Sequence, residues 1–175
     1  KIERVNSPLA LNSSYPKDKL YNDDPLITEA CRQCETGWTE KDFMYAVGVV
    51  QNDILSSLFF VQGECYAANR EVYQRTREKI ITGVQQAEGT DFSETNEIGR
   101  VNKVDPLGIT YLRIRGMWGI ENPRKVFERL NLTSQEDRPL IATLVLRTKF
   151  DSFPEADRQA VTVAASRIED IQIAN

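Results

Sequence analysis

The 175-residue chain contains no histidine. That absence removes the commonest general base, the commonest side-chain metal ligand and the usual charge switch near neutral pH. Cysteine is scarce too: Cys31, Cys34 and Cys65 form the pattern C-x2-C-x30-C and nothing more. A structural zinc site asks for four ligands, usually Cys and His, and this pattern falls short. A thioredoxin-like pair asks for C-x-x-C at a helix start after a strand, and no strand signal precedes Cys31. What remains is a disulfide from Cys65 to Cys31 or Cys34, or three reduced, buried thiols. No apolar run approaches the roughly 20 residues that span a bilayer; the longest, ILSSLFFV at 54–61, contains two serines. Phosphate-binding glycine loops, dinucleotide fingerprints, nucleophile elbows and calcium loops are also missing. These absences point to no catalytic residue, no cofactor and no metal.

The net charge of −4 is unevenly spread: −6 over residues 1–98 and +2 over residues 99–175. Within 99–129, Arg100, Lys103, Arg113, Arg115, Arg124, Lys125 and Arg129 face only Asp105, Glu121 and Glu128. Such a basic segment could steer an acidic partner or pair internally with the acidic half. An overall acidic chain argues against nucleic acid. The carboxylate pairs Asp23-Asp24, Glu136-Asp137 and Glu169-Asp170 lie in polar turns, where solvated charge is the default.

Residues 1–24 hold Pro8 and Pro16 among Asn, Ser, Asp and Lys, which favours an extended arm. Asp24-Pro25 predicts the cap and first position of a short helix ending at Gly37. Thr39 opens T-E-K-D, a capping box, and Phe43, Val47, Val50, Ile54, Leu58 and Val61 recur at three- and four-residue spacing. This predicts a buried helix, turned at Gly63 and followed by a second over Cys65–Ala87: a helix pair. After a polar linker at 89–96 the rhythm changes. Residues 98–104 and 109–118 alternate, predicting strands in which Ile109, Tyr111, Arg113 and Arg115 share a face. Asn122-Pro123 opens an inserted helix, 140–149 reads as a central strand, and 161–173 as a bent pair of strands. The fold class is therefore α+β: an N-terminal helical segment (25–88) and a small, mostly antiparallel sheet or barrel (97–175), together one compact domain.

This pattern predicts a non-catalytic interaction or assembly protein, a subunit or accessory component of a larger complex. It would dock on a protein partner through the arm (Leu9, Leu11, Tyr15, Tyr21) and the basic residues Arg100, Lys103, Arg113, Arg115, Arg124 and Lys125. Two alternatives stand beside it. One is a small-ligand pocket between helices and sheet, lined by Phe59, Tyr66, Tyr111 and Trp118. The other is an oligonucleotide-binding barrel using Lys103, Arg113 and Arg115. With no membrane span, a lysine at position 1, and the triplets Asn12-Ser13-Ser14 and Asn131-Leu132-Thr133, the chain reads as soluble, leaning toward a processed, exported or organelle-lumen protein.

Overall fold

The computed structural model of the chain describes residues 2–4, 8–12, 14–86, 91–93, 99–102, 107, 111–132 and 139–171. The proline-bearing arm forms short extended pieces: β1 (Ile2–Arg4), β2 (Leu9–Asn12) and β3 (Lys19–Tyr21). One helical turn, α1 (Glu29–Arg32), follows, capped by Thr28 rather than Asp24; its hydroxyl accepts from the Cys31 N–H at 3.3 Å. Next come β4 (Glu40–Asp42), β5 (Met44–Gln51) and β6 (Ile54–Gln62). A short turn of helix, α2 (Gly63–Tyr66), leads to α3 (Arg70–Gln85), whose Asn69 cap accepts from the Val72 N–H. Then come β7 (Asp91–Ser93), β8 (Gly99–Asn102), β9 (Leu112–Ile114) and β10 (Trp118–Ile120). α4 (Pro123–Arg129) starts as its sequence dictates, with Asn122 capping and Pro123 in the first turn. β11 (Leu140–Leu144), α5 (Arg147–Asp151) and α6 (Glu155–Ala164) complete the order.

β5 and β6 form an antiparallel hairpin closed by Asn52 and Asp53, both left-handed at φ 51° and 63°, as a tight two-residue turn requires. β1 adds parallel to β5 and β11 parallel to β6, giving the order β1-β5-β6-β11. The register sets Tyr45, Val47 and Val49 opposite Val61, Phe59 and Ser57, and Leu144, Ala142 and Leu140 opposite the same three. All therefore share one face. Phe127 of α4 covers that face, stacked on Phe59 at 4.8 Å between ring centroids. Val49, Phe59 and Val61 are fully buried there with Phe127; each such side chain contributes on the order of 1.5–3 kcal/mol. A second cluster joins Val47 to Leu9 and Ile120, brought together because β2 pairs with β10. On the opposite face Met44 and Ile141 remain exposed.

The mixed α+β class holds, but the helix pair does not. Its first member is the β5–β6 hairpin; only the second forms, as α3. The near-continuous apolar run satisfies both a helical and a strand period, and its β-branched residues with a central Asn-Asp turn decide for strand. The proposed change of rhythm near position 90 fails for the same reason. Among the described residues no barrel closes: the pieces are sheets of four, two, two and three strands. The strand expected over 161–173 is instead α6 as far as Ala164, with Glu155 and Asp157 in its first turn, where acidic residues suit the helix dipole. Lys103, Ile109, Ser13, Thr133 and Glu136-Asp137 lie outside the described residues.

Candidate active site

Beyond the C-terminal ends of the parallel strands β6 and β11 lies a cleft of about 680 Å³. Strand pairing explains its chemistry. β3 runs antiparallel to β4 with Lys19 opposite Asp42 and Tyr21 opposite Glu40, so these four side chains share a face. Lys19 Nζ donates to Glu40 Oε1 at 2.7 Å and lies 3.9 Å from Glu64 Oε1. Lys149 of α5 forms an ion pair with Asp42, and Lys41 one with Glu35. The Lys41 ammonium also sits 5.3 Å over the Trp38 ring. The hydrogen bond that Lys19 donates to Glu40 holds its ammonium above its ordinary pKa, against a smaller opposing effect of burial. Lys19 is thus a fixed positive charge, not a proton acceptor.

Gln62 organises the wall behind the cleft. It is 2% exposed; its Nε2 donates to Glu64 Oε2 at 2.9 Å, and its Oε1 accepts from the Leu146 N–H at 2.9 Å. One buried amide therefore orients a cleft carboxylate and ties β6 to the link between β11 and α5. Below it, Gly63 packs against the backbone of Lys17 and Asp18. Asp18 is 5% exposed; its Oδ2 accepts from the Tyr21 hydroxyl at 2.9 Å, while Oδ1 has no hydrogen-bond partner among the described residues. Burial first, then this hydrogen bond, pushes the Tyr21 phenol up.

The residues singled out from sequence are scattered. Leu9 is core, Leu11 packs against it, Tyr15 stacks on Tyr73 at 5.3 Å, and Tyr21 pairs in β3 with the Arg70 guanidinium over its ring. The pocket set does not converge. Phe59 is buried on Phe127, Tyr66 packs against Tyr45, Trp118 meets Tyr73 edge-on, and Tyr111 is exposed. Arg124 pairs with Glu128 at 2.7 Å, and Lys125 lies 3.9 Å from Glu121, so this part of the basic segment is balanced locally. Arg100 and Arg113 oppose each other across β8 and β9. All three cysteines are free thiols, so no disulfide forms. The cleft residues Lys19, Glu40, Asp42, Glu64 and Gln62 were not legible in advance; the only local signal was a glutamine ending an apolar strand.

The profile of the NgoPII restriction endonuclease family matches residues 1–175, the whole chain. The chain belongs to the NgoPII restriction endonuclease family. The Type II restriction enzyme NgoPII of Neisseria gonorrhoeae is 44% identical over 177 residues, covering 100% of this chain and 63% of that enzyme. The chain thus spans under two thirds of that relative's length. No solved structure matches it.

Membership overturns the reading as a non-catalytic assembly subunit, because the family is one of DNA-cleaving enzymes. It also overturns the argument against nucleic acid, which rested on net charge alone. The lean toward export finds no support in the family. No helix among the described residues is long and apolar enough to cross a membrane. Endonucleases commonly use a divalent cation held by carboxylates to activate water. Among the described residues no three His, Cys, Asp or Glu side chains are grouped to hold a metal ion. Glu40, Asp42 and Glu64 each face a lysine ammonium instead. The cleft as built is a set of ion pairs and does not fit a cation.

Proposed function

We propose that the chain acts on double-stranded DNA as part of a restriction endonuclease that hydrolyses phosphodiester bonds at a recognised sequence. The observation that carries this reading is the family match along all 175 residues, supported by 44% identity across the chain's whole length. With no histidine in the chain, any proton transfer that its own residues perform falls to carboxylates, lysines or tyrosines. The cleft is where the fold gathers such groups. Lys19, held protonated beside Glu40 and Glu64, offers a positioned positive charge of the kind that stabilises a phosphoryl group as charge develops on it.

The test is incubation of the purified protein with plasmid DNA and magnesium, alongside duplex binding measured over a range of salt. Discrete fragments, or duplex binding that weakens steeply as salt rises, are expected. A protein giving neither fragments nor salt-dependent binding would overturn the reading. Lys19→Met and Glu40→Gln then examine the cleft. Lost cleavage with binding retained places it in the reaction, whereas unchanged cleavage removes it.

A further inference from the structure

We infer that Cys31 and Cys34 are an oxidation site on the rim of the cleft, a dithiol that a peroxide converts to a disulfide. The inference goes beyond the proposed action on DNA and stands without it. Both cysteines are free thiols in the structure, Cys34 exposed and Cys31 half-buried. One turn of backbone brings them together: the Gln33 N–H donates to the Glu29 carbonyl at 3.0 Å, and the Cys34 N–H to the Cys31 carbonyl at 3.5 Å. That turn is pinned from outside. Trp38 Nε1 donates to the Arg32 carbonyl at 2.9 Å, and the Arg32 guanidinium donates to the Asp24 carbonyl at 2.7 Å. Helical residues three apart carry Cβ atoms about 5–6 Å from each other, and a disulfide wants about 3.5–4.5 Å. Because α1 ends at Arg32 and Cys34 follows its C-cap Gln33, the turn can tighten by that amount without breaking a longer helix.

Cys34 has the partner that an attacking thiol needs. Lys41 Nζ donates to its sulfur at 3.7 Å; thiols attack as the anion, which an adjoining ammonium stabilises. The Cys34 sulfur attacks one peroxide oxygen: an S–O bond forms, the O–O bond breaks, and the other oxygen leaves as water with the proton that the thiol gave up. The Cys31 sulfur then attacks that of Cys34: an S–S bond forms, the S–O bond breaks, and a second water leaves with the Cys31 proton. Two thiols give up two electrons and the peroxide takes them. Glu35, Trp38 and Lys41, which follow this turn, line the cleft. Closing the bridge therefore leaves the Lys41 ammonium to Glu35 and the Trp38 ring. Cys65 is the internal contrast. It packs against the buried cluster of Val49, Phe59, Val61 and Phe127, and burial, then Glu64, pushes its thiol up to about 11.

The experiment treats the reduced full chain with hydrogen peroxide, counts free thiols, and maps tryptic peptides without reductant. Cleavage after Arg32 separates the two cysteines, so the bridge joins peptide 20–32 to peptide 33–41. The count should fall from three thiols to one, with that linked pair present, Cys65 still reduced, and all three thiols restored by dithiothreitol. In Cys31→Ser a sulfenic acid should accumulate on Cys34 and be captured by a cyclic 1,3-dione. Lys41→Met should slow bridge formation about threefold, the scale of an exposed charge contact. Peptide mapping of the parent carries the test should a variant fail to fold. Absence of the linked pair, a bridge to Cys65, or thiol loss that dithiothreitol does not reverse would overturn the dithiol. So would a folded Cys31→Ser without the dione adduct, or a folded Lys41→Met that oxidises as fast as the parent. No nucleic acid enters the assay, so none of these results bears on the reading as a DNA-cleaving enzyme.

Discussion

Tyr45 and Lys17, 28 residues apart, exchange two hydrogen bonds: the Lys17 N–H donates to the Tyr45 hydroxyl at 2.7 Å, and that hydroxyl donates to the Lys17 carbonyl at 3.0 Å. One phenol therefore fastens the N-terminal arm to β5. Tyr45→Phe keeps the ring but leaves both backbone groups of Lys17 without that partner. An unsatisfied group of this kind costs about 1–3 kcal/mol, so a loss of about 2 kcal/mol is expected. It would be read as a lower urea midpoint at unchanged m. A variant as stable as the parent would mean that the arm is held elsewhere.

The same phenol makes stability depend on alkaline pH. Burial, partly offset by the hydrogen bond to the Lys17 backbone, pushes the Tyr45 hydroxyl from 10.0 up to about 12. The folded state thus holds this proton more tightly than the unfolded chain does. Its contribution is complete below about pH 10 and is lost as pH rises from there toward about 12. Burial raises Tyr66 and Tyr21 in the same direction, so the parent should destabilise over this window and Tyr45→Phe should do so less steeply. Parallel curves for the two proteins would contradict the assignment.

Gly63 is a second fastening point. A Cβ added there would lie 2.1 Å from the Asp18 carbonyl oxygen and 2.7 Å from that of Lys17. Its N–H donates to the Phe43 carbonyl at 2.6 Å, so neither side can withdraw freely. The obstructing atoms are backbone, and relief requires moving the arm. Gly63→Ala is expected to cost about 3 kcal/mol, the upper end for overpacking, and to open the cleft wall as the arm lifts. A chemical-denaturation midpoint within error of the parent would refute this close approach.

Local chemistry was legible in this sequence and long-range pairing was not. Asn122-Pro123 announces α4 because the cap and the fixed proline φ act within one turn. Of the helix pair, only the second member, read over Cys65–Ala87, has a counterpart in α3 (Arg70–Gln85). The β5–β6 hairpin misleads because Val47, Val50, Ile54 and Leu58 fit a helical stripe as well as they fit two strands, and only Asn52-Asp53 marks the reversal. The cleft depends on β3 meeting β4 across about twenty residues and on Lys149 arriving from α5. No spacing rule joins Lys19, Glu40, Asp42 and Glu64. The enzyme family was invisible to composition for a related reason: the missing histidine and the acidic balance describe the average residue and not a site.

The three thiols should differ in reactivity. Cys34 is exposed, whereas Cys65 is half-buried and its thiol is pushed up to about 11 by burial and then by Glu64. Because the thiolate is the reacting species, alkylation of the native protein near pH ~8 should label Cys34 first and Cys65 last, and denaturation should release all three. Peptide mapping over time reads the order directly. Early labelling of Cys65, or a count below three after unfolding without reductant, would contradict the free-thiol arrangement.

The hairpin turn offers a stabilising substitution. Asp53 holds φ 63° with a side chain in place, a left-handed conformation that costs ordinary L-residues about 1–2 kcal/mol and Asn or Asp less. Glycine removes the conflict between Cβ and backbone, but it surrenders more freedom on folding. Asp53→Gly should therefore gain only about 0.5 kcal/mol, in the Asn-Gly arrangement that tight hairpins prefer. Asp53→Val should lose about 1–2 kcal/mol, because a β-branched residue resists this region most. Thermal and urea unfolding of the pair decide the matter: opposite shifts support a left-handed turn between β5 and β6. Equal shifts, or a valine variant no weaker than the parent, would mean that the chain does not reverse there, and the four-stranded sheet beneath the cleft would lose its central hairpin.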